Sequence, residues 1–282
     1  MRKVNIRRMI LTTVLLLCPI ISSGCARIND RPAAEDLNLV LAGMDGSDGV
    51  SFEGASSLLI DGKPAPEAAL YYGGTVADHN KVSLYTLLPD GSTPQTAAQA
   101  GGNKLKSNSA AAPAYYTRLE KKDGEWTMLS EESASQSDNP LPALNPLRQL
   151  EDLEDLEKKV TEEAGAARGT RMLRIELSDT EANRQLAAEL ERQMEAIRPK
   201  EAGKGADALQ LLWEQKNNEL QQKLKEVSVK TVYYLKVDMK RNLPKSLTFT
   251  RRVNYPGTRG LGTAASAAEE IYLTQVNFYG YR

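Results

Sequence analysis

The tightest constraint on this chain lies in its C-terminal third, where polarity alternates over long stretches. Across 231–239, Tyr233, Leu235, Val237 and Met239 share one parity. A turn over 240–244 follows, and Leu247, Phe249, Val253 and Tyr255 repeat the pattern, interrupted once by Arg251. A period of two is the pattern of a strand with one buried face. Residues 270–281 read as a last strand, Tyr-rich at its end. Such strands must lay their apolar side on another layer.

Earlier segments supply both more strand and the cover. Residues 34–44 predict a helix with Leu37, Val40 and Leu41 on one face, broken by the turn sequence at 45–49. That Asp/Gly run lacks the alternate ligands and closing Glu of a helix–loop–helix calcium loop, so it reads as a turn. Residues 50–60 predict a strand ending at Asp61-Gly62, with Phe52, Leu58 and Ile60 on one side; 68–72 and 81–88 predict two more. Residues 90–113 form an aperiodic polar insertion, and 114–120 with 125–129 predict a hairpin turning at Asp123-Gly124. Asn145-Pro146 is a helix start, followed by Leu147, Leu150, Leu153, Leu156 and Val160 as one apolar stripe running toward Gly165. Residues 172–177 alternate as a strand. Ser178 and Glu181 form a capping box that opens a helix carrying Leu186, Leu190, Met194 and Ile197 and closed by Pro199. A second helix is predicted over 206–225, with Leu209, Leu212, Trp213, Leu220 and Leu224 inward.

Composition removes several functions. One His and two Cys among 282 residues leave no Cys/His metal cluster and little for His-based catalysis. His79 lies in a turn-like segment, and a neighbouring Asp is too common to make a triad. No Gly-x-Ser-x-Gly, HExxH, P-loop or dinucleotide fingerprint occurs. No cofactor, no metal and no enzymatic activity are expected. A formal charge of −1 argues against nucleic acid as a partner, since phosphates demand a basic surface.

The N-terminus sets the compartment. Arg2, Lys3, Arg7 and Arg8 precede a mostly apolar stretch at 9–21, too short to span a bilayer comfortably. Ser23-Gly24-Cys25 resembles the cleavage site of a bacterial lipoprotein signal, in which the Cys receives a diacylglycerol; Ser22 departs from the usual Leu. The alternatives are an ordinary secretory signal and an uncleaved anchor. The expected organisation is a signal peptide over 1–24, a tether over 25–33 and one domain over 34–282, anchored through acylated Cys25 on the extracytoplasmic face of the cell membrane. Removing four basic residues from the 36 leaves 32 against 37 acidic ones, a net of −5. No disulfide can form within that body, so packing must hold it together.

The order of these motifs resembles Gram-positive membrane lipoproteins with the lipoprotein-carrier (LolA-like) fold. The segments that carry the likeness are the strand ending at Asp61-Gly62, Gly124-Glu125-Trp126, Asn145-Pro146-Leu147, Leu173-Arg174-Ile175, Tyr234 to Asp238, and Leu243-Pro244-Lys245. The polar insertion and the 206–225 helix depart from it. The resemblance implies an α+β fold: a strongly curved antiparallel β-sheet, an open half-barrel, with helices packed over its concave face. It implies an apolar ligand, a lipid or acyl chain, in the sheet–helix cavity. Phe52, Leu58, Ile60, Trp126, Tyr233, Leu235, Val237, Leu247 and Phe249 are the candidate lining. The alternative is an envelope sensor or protein-interaction module without a lipid ligand.

Overall fold

A computed structural model of the chain describes residues 31–45, 47, 49–87, 115–129, 139–199, 206–255 and 268–282. The signal peptide, Cys25 and the 90–113 insertion lie outside the described residues. In chain order the elements are α1 (Ala33–Asp45), β1 (Gly49–Ile60), β2 (Lys63–Ala77), β3 (Lys81–Thr86), β4 (Tyr116–Lys122) and β5 (Glu125–Met128). A 3-10 turn (Leu141–Leu144) leads to α2 (Pro146–Asp155), β6 (Lys158–Glu163), β7 (Thr170–Leu177), α3 (Asp179–Ala196) and α4 (Ala206–Glu226). The chain ends in β8 (Ser228–Asp238), β9 (Leu243–Tyr255) and β10 (Ala268–Tyr279).

The ten strands form one antiparallel sheet in the order β5-β4-β3-β2-β1-β10-β9-β8-β7-β6. It is curved and does not close, so the fold is the α+β open half-barrel. The first and last strands meet at its centre, from Ser51 opposite Tyr279 to Ile60 opposite Glu270. Two register irregularities, at Ser56/Leu58 in β1 and Lys236/Val237 in β8, supply local twist. Close approach does the rest at Gly54. A Cβ there would stand 2.7 Å from Tyr72 Cζ and 2.8 Å from the Gln275 carbonyl, so only glycine lets the tyrosine ring lie across β1.

Local chemistry explains the helix starts. The Asn145 side chain accepts from Leu147 N at 3.1 Å, with Pro146 in the first turn. Ser178 Oγ accepts from Glu181 N at 3.2 Å. α1 packs on α2, β6 and β9, and α3 lies across β8. Leu37, Val40, Leu150, Leu153, Leu173, Ile175, Leu235 and Leu247 are all 1% exposed or less and form the core where sheet and helices meet.

Two expectations are corrected. The stripe through Leu156 and Val160 is not one helix. Leu156 adopts an extended backbone (φ −79°, ψ 141°), and Val160 sits in β6 opposite Ile175. β6 is an edge strand, and its Lys158, Lys159, Glu162 and Glu163 have the polarity of a surface helix. On α4, Leu209 and Leu212 are exposed, while Trp213, Leu220 and Leu224 are partly covered. α4 packs back on α3, with the Trp213 indole N–H donating to the Met194 carbonyl at 2.8 Å, and leaves Leu209, Leu211 and Leu212 near its start exposed.

Candidate functional site

Register turns the concave face into a ladder of side-chain rungs. The deepest is Phe278–Phe52–Gly74–Leu84. Next comes Leu173–Leu235–Leu247–Val276–Gly54–Tyr72. The third runs Ile175–Tyr233–Phe249–Thr274–Ser56–Leu70, and the fourth Thr231–Arg251–Tyr272–Leu58–Ala65. The outermost is Val229–Val253–Glu270–Ile60. Going up this ladder, the wall passes from apolar and sealed to aromatic and hydroxylated, then to an open rim.

The sealed end holds Phe52, Leu235, Val237 and Leu247, each 2% exposed or less. Tyr233 and Phe249 are buried one level up, with ring centroids 5.0 Å apart; Tyr272 meets Phe249 edge-on at 5.9 Å. Leu58 is half-buried, and Ile60, at 43% exposed, stands on the rim with half-buried Leu70, Tyr255 and Leu190. Trp126 belongs elsewhere: it is on β5, and its indole N–H donates to Glu151 of α2 at 2.9 Å. The ladder thus joins the predicted lining residues except Trp126 and Val237, which lies below the rungs on β8, opposite Arg171 and Pro244.

Sequence reasoning missed the polar band on the middle rungs. Tyr72 Oη, Thr274 Oγ1, Thr231 Oγ1 and Arg251 Nε are all buried and have no hydrogen-bond partner in the protein. Off the ladder, Gln149 of α2 and Gln185 of α3 each also hold a buried, unpartnered amide oxygen. Ser56 Oγ donates to Tyr272 Oη at 3.0 Å, and Arg251 Nη1 donates to Glu189 Oε2 of α3 at 2.6 Å. The Arg251 guanidinium also sits 5.2 Å from the Phe249 ring centre. Burial pushes the Tyr72 and Tyr272 hydroxyls up. Burial does the same to Tyr233, where Arg251 opposes it and the carboxylates of Asp152 and Glu189 add to it. The signal was available in outline, since Ser56, Thr231, Arg251 and Thr274 share parity with apolar strand residues. Which of their polar atoms are left without partners is a tertiary fact.

A cleft of about 410 Å³ opens away from the ladder, between α1, the β4–β5 hairpin and α2. Leu41, Met44, His79 and Trp126 line it along with Lys121, Arg148, Glu151 and Asp152. Burial pushes the Asp152 carboxyl up, against the pull of Arg148. His79 Nδ1 lies 2.7 Å from the Ser47 carbonyl, in a turn where Asp78 and His79 both have positive φ. Among the described residues no group of three or more His, Cys, Asp or Glu could hold a metal ion. Among them, too, no helix is long and apolar enough to cross a membrane.

No family model and no curated protein matches the chain. Among solved structures it is similar to LprF from Mycobacterium bovis, at 10% identity and TM-score 0.34, over 89% of this chain and 94% of that one. It is similar to a LolA superfamily protein from Nitrosomonas europaea at 7% identity and TM-score 0.24, over 89% and 93%. A lipovitellin structure concerned with lipid–protein interactions matches at 7% identity and TM-score 0.35; 83% of this chain spans 25% of it. Likeness at this level carries no functional argument, so function has to be argued from the ladder.

Proposed function

We propose that this chain is a membrane-anchored extracytoplasmic lipoprotein that binds one amphiphile between the concave sheet and α3. The observation that carries the reading is the band of unpartnered polar atoms on an otherwise apolar wall. A buried polar group without a partner costs about 1–3 kcal/mol. Thr231 and Arg251 face each other across β8 and β9, and Thr274 lies one rung below on β10, at the level where the sealed core gives way to the rim; Tyr72 adds a further such group deeper on β2. A molecule with a polar end and an apolar chain satisfies both halves of that wall. Its polar end meets the hydroxyls, and its chain covers Leu58, Leu70, Leu190 and Tyr255, which the protein leaves half-buried. Such sites are mostly apolar with a few convergent polar groups. Binding, rather than catalysis, is the role these groups suit. Acylation of Cys25 would hold the domain at the membrane.

Native mass spectrometry of the body from Ala26 onward, purified without detergent, tests this reading. A bound mass that extracts into organic solvent is the expected result. A protein that carries no lipid and takes up no added long-chain fatty acid or fatty alcohol would sink it.

A second reading is favoured by the α3–α4 tip, where Ile197, Leu209, Leu211 and Leu212 are 70%, 58%, 66% and 51% exposed. Exposed apolar groups gathered in one place mark contact surfaces. If an envelope protein docks there, cross-linking in membranes should recover one reproducible partner. Leu209→Ser with Leu211→Ser should abolish it; unchanged capture would exclude the tip.

A further inference from the structure

Resting on the amphiphile reading, we infer that the bound headgroup is anionic, a carboxylate or a phosphate monoester, and that Arg251 receives it from the inside of the sheet. Arg251 is the one charged side chain on the third and fourth rungs. It lies on the inner face of β9, between Thr231 and Tyr272, with its side chain 14% exposed. A guanidinium taken out of water needs a close counterion and satisfied donors. Glu189 provides one contact, Nη1 to Oε2 at 2.6 Å, and is itself 39% exposed. The Nε–H is left buried and unpartnered. The arginine fork carries five donors in a plane and matches two oxygens of one carboxylate or phosphate at once. An anion seated on the Nε edge completes that fork, and Glu189 is placed to turn outward to water as it enters. The hydroxyls of Thr231, opposite Arg251, and of Thr274, one rung below, supply further donors for its remaining oxygens.

The polarity of the ladder also orients the ligand. Below Arg251 the rungs are filled by buried Tyr233, Phe249, Leu235, Leu247, Phe52 and Phe278. The apolar side chains left partly open lie level with it, at Leu58, and above it, at Ile60. The headgroup therefore goes in and the chain runs out toward the rim.

The test compares three probes of one chain length: hexadecanoate, hexadecyl phosphate and hexadecanol, each titrated into the delipidated protein. At least one anion should bind about tenfold tighter than the alcohol, and the tighter of the two anions identifies the headgroup. Arg251→Gln should erase that preference while hexadecanol still binds. Glu189→Gln removes the internal competitor and should tighten the anion severalfold, a gain that a misfolded variant cannot produce. Equal binding of alcohol and anions, or an unchanged ratio in Arg251→Gln, overturns the headgroup assignment and leaves the amphiphile reading standing. Failure of all three probes overturns both.

Discussion

Raising the pH past about 10, where tyrosine ionises in an unfolded chain, is expected to unfold this protein steeply. Among the described residues six tyrosines have hydroxyls pushed up in the folded state, one of them Tyr279, which donates to Glu53 at 2.9 Å. Burial is the leading cause at Tyr72, Tyr233, Tyr272 and Tyr281. At Tyr255 burial and the Glu270 carboxylate, which accepts its hydroxyl at 3.2 Å, raise the pKa to about 12. The sign follows from linkage. Below pH 10 both states hold these protons and pH has no grip on them. Above it the unfolded chain releases them first, so stability falls as pH rises toward the folded values. Each such group contributes up to roughly 1.4 kcal/mol per pH unit in that window. Together they remove several kcal/mol per unit, from a total that for a domain is about 5–15 kcal/mol. Denaturant midpoints measured from about pH 8 to pH 11 should be level at first and then drop. Tyrosinate absorbance should rise together with loss of near-UV dichroism. Tyr72→Phe, which deletes an unpartnered hydroxyl, should leave neutral stability unchanged or improved and move the alkaline transition up. A gradual tyrosinate titration near pH 10 in a protein that stays folded would refute the account.

These tyrosines also show what could be read before the structure. Tyr233 and Leu235 announce their face by alternation, because a half-buried antiparallel strand writes its geometry directly into the sequence. The Asn145 and Ser178 caps are equally local: each needs one oxygen and an amide within three residues. β6 was illegible for the same reason that Val160 misled. Spacings of three and four continue past Leu156, and only pairing with β7 shows that the backbone has changed. Arg251 was visible as an interruption in β9, but its meaning depends on Glu189, 62 residues away on another element. The candidate site follows the same division. Its apolar residues have a period, while its polar band exists only once β8, β9, β10 and β1 stand side by side.

Removing Arg171 is expected to cost about 3–5 kcal/mol, because it strands a buried carboxylate. Arg171 opens the inner face of β7 opposite Val237, with its side chain 9% exposed. Its Nη1 pairs with Asp36 of α1, which is 4% exposed, and also donates to the Arg31 carbonyl at 3.0 Å; its Nη2 reaches Glu162 of β6 at 2.6 Å. One guanidinium thus ties α1 and the Arg31 carbonyl before it to the edge of the sheet. Arg171→Met leaves Asp36 with only Arg31, whose Nη1 is 3.4 Å away. Asp36→Leu combined with Arg171→Met removes both charges and should recover most of the loss, since an apolar pair of similar volume often replaces a buried ion pair without penalty. Urea denaturation of the two single variants and the double variant measures this; additive losses would show that the pair is not coupled.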